Sequence, residues 1–292
     1  MDYKKVFKDR ERRLKLINML SFIPDKPYLK LVYKIKTGRK LNLKNPTGYN
    51  EKLNWMKLYD RHPEYTDCVD KIKAKEIVDG LIGKGHTIKT LGVWNSFDEI
   101  DFDKLPEQFV LKCNHDSGSV RMIRDKEKID REELRKFFEG RLKVNSFNLG
   151  REYPYKNVKP RIFAEELVKN LDSGAINDYK FFCFNGEPKL MFVATDRDTD
   201  CRFDFFDMDF NHLDIQNIHP NADVIPEKPE KFEEMKEIAR KLTKDIPCVR
   251  LDLYQIENEV YFSEYTFFHG GGFWLFKPEE WEEKLGKMIT VI

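Results

Sequence analysis

The spacing of apolar residues is helical in the first part of the chain and strand-like after Gly92. Apolar positions three and four residues apart indicate one buried helix face, whereas alternation indicates a strand with one buried face. The helical spacing predicts helices over 3–20, Pro27–Lys36, Glu51–Tyr59, Thr66–Leu81, Arg131–Leu142, Pro229–Leu242 and Trp281–Met288.

The second part of the chain is dominated by runs that predict strands joined by turns. These runs cover Gln108–Cys113, Val120–Arg124, Arg161–Val168, Asp178–Phe184, Leu190–Thr195, Arg202–Asp207, Val249–Tyr254 and Val260–Phe267. Asn185-Gly186 is a strong hairpin signal, because both residue types tolerate a positive φ. Since hairpins outnumber β-α-β units, we expect an α+β fold with antiparallel sheets rather than a doubly wound parallel sheet.

The last predicted hairpin concentrates charged and hydroxyl side chains. Strand side chains alternate between faces, so Arg250 shares a face with Asp252, and Glu264 shares a face with Thr266. A two-residue turn at Glu257-Asn258 would put Asp252 and Glu264 on opposite faces. An odd-length loop or a one-residue bulge would instead set Asp252 opposite Glu264. The same shift would set Arg250 opposite Thr266.

In the shifted register two carboxylates, a hydroxyl and a guanidinium converge. Carboxylates on adjacent strands form a hard-oxygen site of the kind that suits Mg²⁺ bridging phosphates. An arginine beside them can neutralise charge on a transferred phosphoryl group. The same residues would also suit an ordinary surface hairpin with a cross-strand ion pair, and the pattern alone leaves both interpretations open.

A second candidate region begins where Lys112 ends a strand and the small-residue loop 114–119 follows. Backbone amides of such a loop can cradle phosphate oxygens while the lysine adds positive charge. The loop does not match the Walker A pattern, and an ordinary hairpin loop is the alternative. His115 in this loop and the distant His269 are lone histidines, which are more often structural than catalytic.

Two further strands carry acidic residues, and the pattern does not decide whether these residues bind a ligand or only support the structure. The strand Arg161–Val168 ends in Glu165-Glu166 and apolar residues, and it can offer backbone groups to adenine or serve as an ordinary core strand. Asp178 and Lys180 share a face at the start of the next strand. They either contribute to a site or form a local ion pair.

Composition and charge narrow the range of partners. The 292 residues carry 52 Lys/Arg against 51 Asp/Glu and show no basic–aromatic ladder, so we expect no nucleic-acid partner. Residues 1–45 depart from this balance, with 14 Lys/Arg against 4 Asp/Glu. Such a basic amphipathic start can contact an anionic membrane peripherally, bind an acidic substrate, or form a solvated helix face. No membrane span or signal peptide is predicted, and the scattered cysteines fit a reducing compartment, so we expect a cytoplasmic location.

Seven short motifs follow one another between about Pro46 and Gly286. They are Tyr49-Asn-Glu-Lys-Leu-Asn-Trp, Asp70-Lys71, Phe109-Val-Leu-Lys112, Ala164-Glu-Glu166, Asp178-Tyr-Lys-Phe-Phe-Cys-Phe184, Val249-Arg-Leu-Asp252-Leu-Tyr and Phe262-Ser-Glu264-Tyr-Thr266. Each motif is loose, but the ordered set resembles the ATP-grasp superfamily, and within it the branch typified by teichuronopeptide biosynthesis. The resemblance implies two α+β lobes with antiparallel sheets that clamp a nucleotide, preceded by a helical segment.

The resemblance also implies roles for matching positions. Two lysines hold ATP phosphates, the loop 114–119 is a lid over them, and 165–168 form the adenine hinge. The implied ATP-binding residues are Lys71, Lys112, His115, Ser117, Gly118, Ser119, Glu165, Glu166, Leu167, Val168, Asp178 and Lys180. The implied catalytic residues are Arg250, which would stabilise the acyl-phosphate step, together with Lys112 and Lys180.

Asp252 and Glu264 resemble Mg²⁺ ligands. Thr266 stands where the superfamily usually has asparagine; its hydroxyl can still offer an oxygen, and we expect a second ion to bind more weakly there. Gly270-Gly-Gly272 lies where a family loop contacts the acceptor substrate. The implied division is a basic helical segment over 1–65, a central lobe with the lid over 66–168, and a C-terminal lobe with the Mg²⁺ site over 169–292.

The implied activity is ADP-forming ligation of a carboxylate to an amine, with ATP and Mg²⁺. The expected carboxylate is a small molecule or a bacterial surface-polysaccharide precursor, by analogy with the branch. One alternative is a kinase-like phosphotransferase of the same fold. Others are a non-catalytic nucleotide-binding protein and a glycosyltransferase-associated role in polysaccharide synthesis.

Overall fold

The computed structural model describes residues 20–168, 177–196 and 200–291. Its helices are α1 (Asp25–Thr37), α2 (Tyr49–Tyr59), α3 (Tyr65–Val69), α4 (Lys73–Ile82), α5 (Arg131–Leu142), α6 (Phe147–Gly150), α7 (Phe232–Thr243) and α8 (Glu280–Lys287). Its strands are β1 (Thr90–Trp94), β2 (Phe109–Cys113), β3 (Val120–Ile123), β4 (Ile162–Glu166), β5 (Asp178–Phe184), β6 (Glu187–Thr195), β7 (Arg202–Phe206), β8 (His212–Leu213), β9 (Cys248–Ile256) and β10 (Glu259–Thr266). The helix predicted over 3–20 lies outside the described residues except for Leu20.

The described residues form two compact units that interleave along the chain. Unit 1 contains 20–28, 62–73 and 88–168. Unit 2 contains 29–61, 74–87 and the described residues after 176. Each unit combines helices with an antiparallel sheet, so the predicted α+β class is confirmed. The three-part division over 1–65, 66–168 and 169–292 stays a prediction.

Unit 1 is built on a four-stranded antiparallel sheet in the order β1-β4-β2-β3. One face of the sheet buries apolar side chains, including Phe109 and Leu111 of β2, against α5 and the segment before β2. Because side chains alternate along a strand, Lys112 lies on the other face. The core therefore fixes β2 and leaves its lysine free for polar contacts.

Unit 2 is built on a six-stranded antiparallel sheet in the order β10-β9-β5-β6-β7-β8. Helix α7 covers one face, where the Phe232 ring stacks on Phe181 at 6.1 Å and the Tyr265 hydroxyl donates to the Leu242 carbonyl. The opposite face carries the charged residues of β5, β9 and β10. The amphipathic helix thus covers the face of the sheet that lies away from these charged residues.

A bulge in the last hairpin sets the register of that polar face. The two-residue turn Glu257-Asn258 joins the strands, and residues up to Phe262 pair with β9 in the register that this turn dictates. Ser263 is then an extra residue, and after it Glu264 lies opposite Asp252. The predicted shift in register is confirmed, and its cause is a bulge rather than an odd-length loop.

The single helix predicted over Thr66–Leu81 is wrong, because the structure breaks it into α3 and α4. Asp70 adopts an extended backbone at the end of α3, and its carboxylate accepts from the amides of Ile72 and Lys73 at 3.0 and 3.5 Å. An aspartate that bonds nearby amides in this way ends one helix and caps the next. The break leaves Lys71 outside both helices.

Strand β1 is missing from the sequence-based prediction. Thr90–Trp94 is only half-buried and contains a glycine, so it lacks the alternation by which the other strands are detected. It is an edge strand that pairs with β4, and a register irregularity lies at Gly92. Its strand conformation depends on that partner more than on its own pattern.

Gly286→Ala should destabilise the protein, although alanine favours helices more than glycine does. The added Cβ would lie 2.1 Å from the carbonyl oxygen of Thr47, so α8 or the turn before α2 would have to move. We expect a loss of about 1–3 kcal/mol in the free energy of unfolding, measured in urea.

The matched control is Gly80→Ala in α4, where nothing lies within 4 Å of the added Cβ. This substitution should raise stability by up to about 1 kcal/mol, because it only improves helix propensity. Equal effects of the two substitutions would contradict the close packing of α8 against the turn.

Candidate functional site

A row of three charged side chains crosses adjacent strands of unit 2. Lys180 of β5 lies opposite Asp252 of β9, which in turn lies opposite Glu264 of β10. The next row on the same face contains Arg250 and Thr266, which are also opposite each other. The residues predicted to converge are therefore neighbours, and the bulge at position 263 is what aligns them.

Asp252 is a fully buried carboxylate held by two cations. Its Oδ1 accepts from Arg250 Nε at 2.6 Å, and its Oδ2 accepts from Arg250 Nη2 at 2.7 Å and from Lys180 Nζ. Burial alone would raise the pKa of Asp252, but the charges of Arg250 and Lys180 outweigh it and lower the pKa to about 2. The group is an anion with both oxygens engaged.

Arg250 is held by hydrogen bonds on several sides. Besides Asp252, its Nη2 donates to Thr266 Oγ1 at 3.0 Å and lies 3.6 Å from a Glu264 oxygen, and its Nη1 bonds His269 Nδ1 at 2.7 Å. Burial would lower the pKa of Arg250, but Asp252 raises it above its usual range. The guanidinium is a permanent cation with a fixed direction.

The tautomer of His269 follows from its partners. A guanidinium can only donate, so His269 Nδ1 accepts from Arg250, and the proton must lie on Nε2. Nε2 then donates to Asn217 Oδ1 at 2.8 Å, while Asn217 Nδ2 donates to the Trp274 carbonyl at 2.9 Å. Burial and the nearby charge of Arg250 lower the pKa of His269 well below its usual range, in agreement with a neutral ring.

Lys180 also contacts a second buried carboxylate. Its Nζ lies 3.0 Å from Asp178 Oδ2, and Asp178 is fully buried. The lysine therefore sits between two carboxylates on one sheet face, Asp178 on its own strand and Asp252 on the next. A single ammonium partly compensates two buried negative charges.

The oxygen ligands around Asp252 fit a magnesium ion that completes its shell from phosphate and water. Among the described residues, no group of three or more His, Cys, Asp or Glu side chains is placed to hold a metal. Mg²⁺ in nucleotide sites commonly takes only one or two carboxylates, with the remaining ligands from substrate and water. Glu264 is about one-third exposed, Asp252 faces it, and Thr266 adds a hydroxyl. Lys180 and Arg250 bind the same Asp252 oxygens that an ion would use.

Unit 1 holds the other predicted group, beginning with Lys112. Its Nζ lies 2.5 Å from Glu165 Oε2, across the β2–β4 pair, and Glu165 is buried. Glu166, the next residue, is exposed and pairs with Lys89 at 3.1 Å. The two glutamates of the predicted adenine hinge thus differ, since one neutralises Lys112 and the other lies at the surface.

Lys71 lies against the loop 114–119. Its amide donates to the Asn114 carbonyl at 3.1 Å, and its Nζ donates to the Asp116 carbonyl at 2.5 Å. Within the loop, Ser119 Oγ donates to the Asp116 carboxylate, and Gly118 has a positive φ of 82°. The predicted phosphate lysine and the predicted lid loop are therefore in contact.

His115 lies at the base of this loop. Its ring is buried, its Nε2 lies 3.2 Å from the Arg141 carbonyl, and burial lowers its pKa. Asn114 anchors the other side, where its Oδ1 accepts from the Arg161 amide at 2.7 Å and its Nδ2 donates to the Lys159 carbonyl. These contacts fix the base of the loop.

The remaining predicted positions fall beside these groups. Ser117 lies in the exposed part of the loop, and half-buried Leu167 and Val168 continue the chain beyond β4. Within unit 1 the structure brings Lys71 to the loop and Lys112 to Glu165. Within unit 2 it brings together Asp178, Lys180, Arg250, Asp252, Glu264 and Thr266.

Several polar residues in these sites were not predicted. Asp70 accepts from Arg161 Nη2 at 3.1 Å, and Asn217 supports His269. In α2 three buried polar residues recur at helical spacing, Asn50, Asn54 and Lys57. That spacing, with polar residues on one helix face, is a signal that the sequence already contains.

Residues 51–290 match the model of a protein family described as TupA-like ATPgrasp. The match covers most of the chain, so the protein is an ATP-grasp protein. Within that superfamily it belongs to the TupA-like family, and the resemblance inferred from the motif order is confirmed. No curated protein sequence is similar enough to this chain to count as a relative.

Solved structures with a similar fold include ligases. D-alanine–D-alanine ligase from Bacillus anthracis complexed with ATP is 17% identical, with 68% of this chain and 53% of that one covered and a TM-score of 0.38. A second structure of that ligase is 18% identical, with coverages of 83% and 69% and a TM-score of 0.46. Phosphoribosylamine–glycine ligase from Thermotoga maritima is 14% identical, with coverages of 73% and 52% and a TM-score of 0.42. The chain thus spans about half the length of the first and third.

None of the helices in the described ranges is both long and apolar enough to cross a membrane. The described part of the basic N-terminal region includes α1, on which Lys30, Leu31, Lys34 and Ile35 are exposed. Peripheral membrane contact through this region stays a prediction.

Lys180→Met should destabilise the protein strongly, because the change removes the ammonium between two buried carboxylates. Breaking a buried ion pair by removing one partner costs about 3–5 kcal/mol, and methionine keeps the side-chain volume. Chemical denaturation at neutral pH measures the effect.

The matched control is Lys189→Met on the adjacent strand β6, where the lysine is exposed. It should change stability by no more than about 0.5 kcal/mol. A cost for Lys180→Met as small as that of the control would contradict the assigned role of Lys180 as the compensating charge.

Proposed function

We propose that this protein is an ATP- and Mg²⁺-dependent ligase that joins a carboxylate to an amine through an acyl phosphate. The observation that carries the proposal is the row of Lys180, Asp252 and Glu264 with Arg250 beside it. Membership of the ATP-grasp superfamily supports nucleotide use, and the solved ligases of similar fold are consistent with it. The acids and bases of this row suit charge neutralisation rather than proton transfer, since Asp252 is held as an anion.

The first step would be phosphoryl transfer. A carboxylate oxygen of the acceptor attacks the γ-phosphorus of ATP, the bond to the bridging oxygen breaks, and ADP leaves with that electron pair. Arg250 and Lys180 share a sheet face with Asp252 and Glu264, and as cations they would bind the negative oxygens of the transferred group. The residues bind and orient the reactants more than they react.

The second step would be amide formation. The amine attacks the acyl carbon, inorganic phosphate leaves, and the amine loses a proton to solvent or to the departing phosphate. Arg250 would bind the departing phosphate. Its Nη1 is held by His269 and its Nη2 by Thr266, so the orientation of the guanidinium is set before the phosphate leaves. Because Arg250 stays charged, it can bind phosphate oxygens in both steps.

Asp252, Glu264 and Thr266 would hold Mg²⁺. When bound, the ion neutralises phosphate charge and orients the phosphate oxygens. In unit 1, Lys71, Lys112 and the loop 114–119 would bind the ATP phosphates, and residues 165–168 would contact adenine. Asp178 would contact the ribose or the substrate.

The expected acceptor is a carboxylate of a bacterial surface-polysaccharide precursor, such as a uronic acid, with an amino acid or another amine as its partner. This choice rests on the resemblance of the ordered motifs to the branch typified by teichuronopeptide biosynthesis. A kinase-like transfer to a hydroxyl is the alternative chemistry on the same constellation. It differs in that it requires no amine.

Steady-state release of ADP should require ATP, Mg²⁺, a carboxylate acceptor and an amine together. We expect a screen over uronic acids and amines to find pairs for which omission of the amine lowers the rate at least about tenfold, because the acyl phosphate is then not consumed. Undiminished turnover without the amine would favour the phosphotransferase, and binding of sugar nucleotides instead of ATP would favour a glycosyltransferase-associated role.

Glu264→Gln tests the metal assignment in the same assay and by calorimetry. It should weaken binding of Mg·ATP by about tenfold or more, since it removes one anionic ligand. Glu259→Gln, an exposed glutamate on the same strand, is the control and should bind like the wild type. Equal binding by both variants would show that Glu264 is not a metal ligand.

A further inference from the structure

The segment His269–Gly272 is a glycine loop with an unusual backbone. Gly270, Gly271 and Gly272 have φ values of 58°, 65° and 68°, in the left-handed region where side chains are disfavoured. A Cβ at Gly270 would lie 2.8 Å from Trp274 Cδ1, and one at Gly272 would lie 2.9 Å from Asn54 Nδ2. Three consecutive glycines are therefore what this path of the chain demands.

Helix α2 holds the loop through its carbonyl oxygens. Lys57 Nζ donates to the Gly271 carbonyl at 2.6 Å, and Asn54 Nδ2 donates to the Gly272 carbonyl at 2.6 Å. One turn earlier, Asn50 Nδ2 donates to the Trp274 carbonyl at 2.9 Å. Three polar residues on one helix face thus bind three carbonyls in the stretch 271–274, which covers the end of the loop and the two residues after it.

These donors are fully buried, which is costly. Lys57 is an ammonium with no exposed surface, and it also lies over the Phe273 ring at 4.3 Å. Apolar residues on this face would pack without the cost of desolvating polar groups. The side-chain nitrogens of this network each donate to a backbone carbonyl, and such a network specifies one arrangement of the backbone that it binds. The arrangement that it specifies here is the path of the loop.

The loop is joined to the candidate site through its first residue. His269 Nδ1 accepts from Arg250 Nη1, and His269 Nε2 donates to Asn217, which also donates to the Trp274 carbonyl. The Trp274 carbonyl therefore accepts from both Asn50 and Asn217. The acceptor of the Nε2 proton therefore belongs to a residue that is itself bound to the backbone just after the loop.

We infer that Asn50, Asn54 and Lys57 are positioning residues, which fix the glycine loop so that His269 sets the direction of the Arg250 guanidinium. Asp252 and Thr266 hold Arg250 from the sheet, and His269 holds the terminal nitrogen that points away from them. Without His269 the side chain would keep its two bonds to Asp252 and its bond to Thr266, but it would lose the bond that holds Nη1. This inference rests on the proposed function only for its effect on turnover.

Four substitutions test the inference. His269→Phe keeps a ring but removes the acceptor, whereas His269→Asn retains an oxygen close to the position of Nδ1. Lys57→Met keeps the length of the side chain but frees the loop carbonyl. Lys52→Met is the matched control, because Lys52 on the same helix donates to a different segment, the Ile289 carbonyl, at 2.7 Å.

In the ADP-release assay, His269→Phe should lower kcat by about 10- to 100-fold, the scale expected from a misplaced catalytic group, and leave the KM for ATP within about twofold. His269→Asn should recover most of the loss. Lys57→Met should lower kcat in the same direction, and Lys52→Met should not. Adding Lys57→Met to His269→Phe should cause little further loss in kcat, because both act through Arg250.

Arginine resonances give a readout that needs no substrate. In protein labelled with ¹⁵N-arginine, Nη1 and Nη2 of Arg250, assigned from the Arg250→Lys variant, should give separate signals because both are held. The Nη2 signal should stay in place in every one of these variants, because Asp252 and Thr266 hold that atom. The Nη1 signal should keep its position in His269→Asn and in Lys52→Met, and shift in His269→Phe and Lys57→Met, where its acceptor is lost or displaced.

The two measurements separate failure of the inference from failure of the proposed function. If no substrate pair gives turnover but the signals behave as expected, the ligase proposal fails and the positioning role stands. An unshifted Nη1 signal in His269→Phe, or a kcat for His269→Asn as low as that for His269→Phe, would overturn the positioning role. Thermal unfolding of each variant confirms that the comparison is made between folded proteins.

Discussion

The bulge at Ser263 is the constraint on which the polar face depends. The turn Glu257-Asn258 fixes one register for the outer part of the hairpin, and that register alone would put Glu264 and Asp252 on opposite faces. One extra residue shifts the inner part by a single position, so that Lys180, Asp252 and Glu264 form a row. A local irregularity of the backbone thus determines whether Glu264 and Thr266 join the charged residues of β5 and β9.

Two sets of buried contacts then hold that site in place. Helix α7 and the apolar face of the sheet fix the strands, so that the charged side chains of the other face can be buried in pairs rather than exposed. Asp252 binds both Arg250 and Lys180, and these two cations lower the pKa of Asp252 although burial would raise it. The second set is the polar network of α2, which fixes the glycine loop and, through the loop, His269.

The sequence predicts much of the sheet of unit 2 and little of the support around its site. Strand alternation predicts β5, β9 and β10, and it limits the register to two possibilities that pattern alone does not decide. The pattern of apolar residues does not predict the break at Asp70, because an aspartate at this position also fits a continuous helix. The break depends on the Asp70 side chain, which accepts a hydrogen bond from the amide of Ile72. Asn50, Asn54 and Lys57 bond carbonyls more than 200 residues away, and no local pattern contains such partners.

The most direct test of the central claim is a crystal structure of the protein with Mg²⁺ and a non-hydrolysable ATP analogue. The shared face predicts a metal ion bound by oxygens of both Asp252 and Glu264, at about 2.1 Å as is usual for Mg²⁺. It also predicts that Lys180 or Arg250 contacts a phosphate oxygen of the nucleotide. An ion bound only by phosphate and water, with Asp252 still held by both cations and no phosphate near them, would contradict the account.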